Sequence, residues 1–266
     1  MKNYIEVNKA LWNKRVDGHV NSEFYSVDRW KKHLNSLNKI ELSLLGDLQG
    51  KKILHLQCHF GQDTLSMQAL GAQCTGVDLS NKAIDKAQVL ARELSLESHF
   101  ICCDIYELKN HLDEKFDLVF ASYGCIGWLP DLSKWAEVIS NFLNPNGKFV
   151  FAEFHPVVWM FNDQFTSVDY SYFNKEAIIA SESGSYADPK GDYNNDFVCW
   201  NHSIDEVLTA LMSNGMSLEL FQEYDYSPYP CFENIVEQDQ KKYQIKNLEG
   251  KLPMVFALKM NKNETN

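Results

Sequence analysis

Apolar positions along the chain fall into two alternating patterns. Short, nearly unbroken apolar runs occur at 53–57, 73–77, 99–103, 116–121 and 148–154. Each predicts a short strand, and the fourth, nearly all apolar, predicts one covered on both faces. Between them lie stretches with helical spacing. Ala83, Ile84, Ala87, Leu90, Ala91 and Leu94 share one face, as do Leu132, Trp135, Ala136, Ile139, Phe142 and Leu143. Gly71 stops the short helix after the first strand, and Asn144-Pro145-Asn146-Gly147 turns the chain into the fifth. This alternation predicts an α/β doubly wound parallel sheet. A capping box, Ser203-Ile204-Asp205-Glu206, then opens another helix. Strands at 217–224 and 252–260 follow with no crossover helix between them, which predicts an antiparallel pair at one sheet edge.

The flanking segments read differently. Residues 1–50 form a helical cap or lid, with Val7 and Leu11 on one face and Trp30, Leu34, Leu37 and Leu44 on another. The stretch from Val16 to Tyr25 reads as a polar loop ending in two aromatics, either packing on the core or closing over a site. The main domain spans 51–266. It carries an insertion at about 156–200, rich in Asp, Asn, Ser, Tyr and Phe, with a hairpin expected around Tyr170–Phe173 and Ala177–Ser181. The tail from Asn261 is polar and expected to fray.

Charge and cysteine content narrow the partners. The 266 residues carry a net charge of −11, which repels phosphate backbones and disfavours nucleic acid. The first residues lack the apolar run of a signal peptide, and no apolar stretch is long enough for a bilayer, so no membrane partner is expected. The seven cysteines form no CxxC pair. They read as small apolar fillers in a reducing cytoplasm.

Candidate chemistry gathers at the strand ends: the loop after Gln57, then Asp78, Asp104 and Ser122 to Gly124. In open parallel sheets ligands sit at that carboxyl edge. His55, Cys58 and His59 have ligand chemistry for a metal, but no fourth ligand is evident and none is expected to bind. His155, at the end of the fifth strand, is a candidate base or a histidine satisfied by a carbonyl. Tyr123 and His202 are weaker candidates for the same role.

Ile53–Gly61 followed by Gly71–Ser80, then Phe100–Ile105, Phe116–Val119 and Leu143–Lys148, resembles the motifs of the class I S-adenosylmethionine-dependent methyltransferases. The resemblance covers roughly Ile53 to Phe154, and more narrowly is similar to an uncharacterised bacterial subgroup of small-molecule type. It implies a Rossmann-like, seven-stranded mixed sheet whose last strand is antiparallel. It also implies S-adenosylmethionine as cofactor and a small-molecule methyl acceptor. By the same resemblance, Gln57, His59 and Gly61 line the methionine end and Asp78 binds the ribose hydroxyls. Leu79 packs on the adenine, while Asp104 and the Ile105 amide read its edge. Ser122 and Tyr123 lie beneath the sulfonium, and Tyr25 belongs to the lid. The family usually has an acidic residue where His55 stands and glycines where Gln57 and His59 stand. A nucleoside-binding module without transfer chemistry and a nicotinamide-dependent oxidoreductase are the rival readings. The missing G-x-G-x-x-G speaks against the second.

Overall fold

The computed structural model describes residues 4–173, 175–191 and 194–264, apart from the side chains of residues 194 and 195. Three helices come first: α1 (Tyr4–Asn21), α2 (Val27–His33) and α3 (Lys39–Leu45). The alternating unit follows as β1 (Lys52–Leu56), α4 (Gln62–Ala69), β2 (Gln73–Asp78), α5 (Asn81–Glu93), β3 (His99–Cys102), β4 (Phe116–Ser122), α6 (Leu132–Phe142) and β5 (Leu143–Phe154). A hairpin of β6 (Ile178–Ser183) and β7 (Asn194–Cys199) precedes α7 (Ile204–Ser213) and β8 (Met216–Tyr224). A second hairpin, β9 (Ile235–Asp239) and β10 (Lys242–Ile245), leads to β11 (Val255–Lys262).

Seven strands form one sheet in the order β3-β2-β1-β4-β5-β11-β8. β1 through β5 run parallel, and β11 lies antiparallel to both β5 and β8. After β3 the chain crosses to the other side of β1, so β1 and β4 flank the switch point where a ligand crevice opens.

Period-two alternation divides the core. On β5, Phe149 and Phe151 point toward α6, where the fully buried Trp135 meets them edge-on at 5.4 and 5.3 Å. Val150 and Ala152 point the other way and pack with Ile40 and Leu44 of α3. No helix among the described residues is long and apolar enough to cross a membrane.

Three expectations are corrected. The stretch from Val16 is helical as far as Asn21. Its buried face consists of Asn8, Leu11, Arg15, Val16 and His19, so the spacing is helical but three of the five side chains are polar. The hairpin pairs Ile178–Ser183 with Asn194–Cys199, and Tyr170–Phe173 lies outside it. Asn261 is not frayed: it pairs with Lys148 on one side and Ser217 on the other. Residues 1–3, 174, 192–193 and 265–266 lie outside the described residues.

Candidate cofactor and acceptor site

The loop after β1 keeps a glycine-type backbone without the glycines. Gln57, His59 and Gly61 all have positive φ, at 55°, 50° and 77°. A non-glycine residue pays about 1–2 kcal/mol for that conformation. Side-chain contacts hold both exceptions in place. Gln57 Nε2 donates to the Cys125 carbonyl at 2.8 Å, bridging the ends of the neighbouring strands β1 and β4. His59 Nε2 lies 3.0 Å from His19 Nδ1. Gln57 Oε1 and His59 Nδ1 are buried with no hydrogen-bond partner among the described residues, so the loop offers two polar atoms unsatisfied by them.

Asp78 ends β2 beside this loop. Its Oδ2 accepts from the His59 amide and its Oδ1 from the Ser80 amide, both at 2.8 Å. Burial pushes its carboxyl up to about 6, while the Ser80, His59 and Leu79 amides pull it back. Leu79, the next residue, is half-buried, and its carbonyl accepts from Cys102 Sγ. One strand further on, Asp104 caps a short 3₁₀ turn over Ile105–Asn110, its Oδ1 accepting from the Tyr106 amide at 3.0 Å. The Ile105 side chain goes into the core.

His55 sits where an acid was expected by the resemblance. It is 3 % exposed, with Nδ1 2.8 Å from Thr64 Oγ1 and its ring 5.0 Å from Phe120. Desolvation pushes its imidazole down to about 3, so this point of β1 carries no charge at neutral pH. His19 is likewise pushed down to about 3, by burial and the nearby Arg15. Both native pKa values lie below the ordinary 6.5, so the unfolded chain takes up protons that the native state refuses as pH falls. The stability these rings contribute is complete above pH 6.5 and is lost on the way down toward pH 3, by up to about 1.4 kcal/mol per pH unit for each ring. Asp78 and Glu41, raised to about 6 and about 7, act in the opposite sense and offset part of that loss. The Cε1 proton resonances of His19 and His55 are expected to hold their neutral positions from about pH 8 to about pH 5. An inflection near 6.5 in either would show that its ring is solvated.

The loop after β4 is set by a residue whose role the sequence pattern did not reveal. Glu153, 2 % exposed at the end of β5, accepts from four backbone amides. Oε1 takes Gly124 at 2.5 Å and Phe154 at 2.7 Å, and Oε2 takes Cys125 at 2.7 Å and Ile126 at 3.4 Å. That cradle holds Tyr123 and Gly124 at successive positive φ values of 44° and 76°. Ser122 precedes them, its carbonyl accepting from Cys125 Sγ. The Tyr123 hydroxyl donates to Glu41 Oε2 of α3 at 3.1 Å. Burial and the Glu41 charge push the Tyr123 phenol far above its usual value.

The cap closes over these loops. On α1, Asn13 Oδ1 accepts from Ser80 Oγ at 2.7 Å and from the Lys82 amide at 3.2 Å. Trp12 lies 5.3 Å from Trp128 and 5.4 Å from His59. Asn8 is tied through both side-chain atoms to the backbone of Val198 on β7. Tyr25 stacks on His19 at 5.4 Å and meets Phe60 at 4.8 Å. The lid therefore includes Trp12, Asn13 and His19, which apolar periodicity passed over. Their stripe was legible only as polar residues at helical spacing.

His155 follows the end of β5. Its Nδ1 accepts from the Val157 amide at 3.2 Å, which leaves the proton on Nε2, 2.9 Å from Glu223 Oε1 on β8. Both ring nitrogens are thus committed on the β8 side of the sheet. His202 Nε2 lies 2.8 Å from the Leu129 carbonyl. Among the described residues no three His, Cys, Asp or Glu side chains are grouped to hold a metal ion.

This geometry meets the comparisons with known proteins at one point. A family model described as a methyltransferase domain matches residues 54–151, the span from β1 through β5 that carries both loops and both strand-end aspartates. By this match, residues 54–151 are similar to methyltransferase domains. Among its relatives, a ubiquinone biosynthesis O-methyltransferase of Idiomarina loihiensis is 28% identical over 135 residues, 49% of this chain and 55% of that one. The uncharacterised methyltransferase YbaJ of Bacillus subtilis is 22% identical over 203 residues, 73% of this chain and 76% of its own. The chain spans about half the length of the ubiquinone enzymes it matches. Two solved structures share the methyltransferase fold. An S-adenosylmethionine-dependent methyltransferase from Clostridium acetobutylicum superposes with a TM-score of 0.58 at 14% identity, covering 98% of this chain and 100% of that one. A DhpI–SAH complex gives 0.59 at 15% identity, covering all of both chains.

Proposed function

We propose that the protein transfers a methyl group from S-adenosylmethionine to a nucleophilic O, N or S atom of a small molecule. The observation that carries this reading is the loop from Gln57 to Gly61. It holds a glycine-type path at three positions and donates the His59 amide to Asp78 at the end of β2. Charge supports the same cofactor. The neutral His19 and His55 leave Asp63, Asp78 and Asp104 to set the sign of the site, which favours a sulfonium and ammonium over a diphosphate. Arg15, whose charge is felt by His19 and His59, is paired with Glu182.

When bound, S-adenosylmethionine supplies a methyl group on an already electrophilic sulfonium. The chain's part is therefore mainly in-line positioning and exclusion of water. In this reading Asp78 holds the ribose hydroxyls, and Leu79, Asp104 and the Ile105 amide hold the adenine. Gln57, His59 and Gly61 line the methionine end, with the unpartnered Gln57 Oε1 and His59 Nδ1 available to its polar groups. Ser122 and Tyr123 lie under the sulfonium. Tyr123 stays protonated and orients through Glu41 instead of acting as a base. α1 and Tyr25 cover the site. The acidic surface supports a small-molecule acceptor over nucleic acid, and seven unpaired cysteines support a reducing compartment such as the cytoplasm.

Calorimetric titration with S-adenosylhomocysteine is the direct test, and no binding at millimolar ligand overturns the reading. Asp78→Ala is expected to weaken that binding more than about tenfold, or about 1.4 kcal/mol. An unchanged affinity places the ribose elsewhere.

A further inference from the structure

We propose that the free edge of β8 pairs with β8 of a second copy of this chain, joining the two seven-stranded sheets across a two-fold axis. The proposal is independent of the methyl-transfer reading.

The sheet ends in two unlike edges. At one end β3 is four residues long, too short to template much pairing. At the other end β8 runs for nine residues, Met216–Tyr224. β11 pairs with one side of it, and among the described residues no strand pairs with the other. That side presents a row of backbone N–H and C=O groups that only water or another strand can satisfy.

Edge strands are ordinarily guarded by lysine, proline or an outward charge. β8 reads Met-Ser-Leu-Glu-Leu-Phe-Gln-Glu-Tyr and has no lysine, arginine or proline. Both of its acids are drawn back over its own sheet. Glu219 meets Lys148 of β5 at 2.6 Å and Lys259 of β11 at 3.4 Å. It has no partner in the register with β11, which shifts at that point, and such an extra residue is free to turn its side chain inward. Glu223 Oε1 lies 2.9 Å from His155 Nε2, just past the end of β5. β5 stands two strands in from this edge, so both carboxylates reach inward across β11.

What remains along the edge is apolar. Leu218 is 42 % exposed and Leu220 37 %. Leu218 is paired with Met260, which packs in one cluster with Val207 and Leu211, so it lies on the α7 face, where Met212 is also exposed. Leu220 is paired with Lys259, next to Leu258 of that cluster, and lies on the opposite face.

A second β8 matches this edge in hydrogen bonding and in charge. Leu220 is the fifth of the nine residues, so antiparallel pairing about it uses both strands in full. It brings Leu220 to its own counterpart, Leu218 to Gln222 and Glu223 to Ser217. No acid faces an acid. A chain with a net charge of −11 repels its own copies, and self-association belongs where its acids are already engaged.

Sedimentation velocity on the full chain from about 1 to about 100 μM tests the pairing. The particle mass is expected to rise from one chain toward two, and a mass of one chain throughout overturns the proposal. Leu220→Lys sets two cations face to face on the axis and is expected to weaken the dimer about tenfold or more. Gln222→Lys, at an exposed position, guards the same edge and is expected to weaken it about threefold or more. It keeps the test standing should Leu220→Lys fail to fold. A dimer that the folded variants leave unchanged is built through another surface and overturns the proposal. S-adenosylhomocysteine calorimetry reads the methyl-transfer reading separately, and neither result bears on the other.

Discussion

Glu153→Ala is expected to destabilise the protein by about 3–5 kcal/mol, the cost of removing one side of a buried, fully hydrogen-bonded charge. Four amide donors, on Gly124, Cys125, Ile126 and Phe154, lose their acceptor at once in a place that excludes water. The native carboxyl is itself raised by burial and brought back only by those four bonds, so the cradle and the charge depend on each other. Glu153→Gln is expected to rescue only part of the loss. Its amide keeps one acceptor oxygen but turns an NH₂ group toward the other pair of donors. Urea denaturation reads both variants. A midpoint for Glu153→Ala within about 0.5 kcal/mol of wild type would mean that the loop after β4 is held by something else.

Gly61→Ala is expected to cost about 2–5 kcal/mol by a different route. A Cβ there would lie 2.7 and 2.8 Å from two carbons of the Phe100 ring and 2.9 Å from Ala87 Cβ on α5. The Phe100 ring cannot retreat freely, because a Cβ on Gly76 would also lie 2.9 Å from it. Overpacking of this kind costs about 1–3 kcal/mol, and a φ of +77° adds about 1–2 kcal/mol for alanine. Gly124→Ala separates the two contributions. Its φ is +76°, but nothing lies within 4 Å of the added carbon. Equal urea midpoints for the two variants would remove the packing argument. Gly61 is therefore needed for the close approach of α5 and β3.

Much of this was legible in the chain, and the rest was hidden for identifiable reasons. β2 and β4 were readable because they are largely buried and end in a polar residue, Asp78 after Val77 and Ser122 after Ala121, whereas β3, at the sheet edge, is exposed to half-buried. The antiparallel edge was readable from the absence of a crossover helix between β8 and β11. α1 was obscured because its buried stripe holds Asn8, Arg15 and His19, each satisfied by a partner far along the chain. Hydrophobic periodicity is blind to a helix that docks through hydrogen bonds. The loop at Gln57 and His59 looked like a departure from a glycine pattern. What is preserved there is the backbone path, carried by the tethers to Cys125 and His19. Glu153 was visible as the one acid in an apolar strand, but four amides converging on it could only be seen in three dimensions.

The position of α1 has a consequence for the tempo of the protein. The helix crosses the carboxyl edge of the sheet and is fastened at three places: Asn8 on β7, Asn13 at the start of α5 and His19 on His59. Lifting it from that edge requires all three fastenings to let go together. Opening of the strand ends is therefore a collective, microsecond-to-millisecond motion of a whole helix and not the rotation of a single side chain.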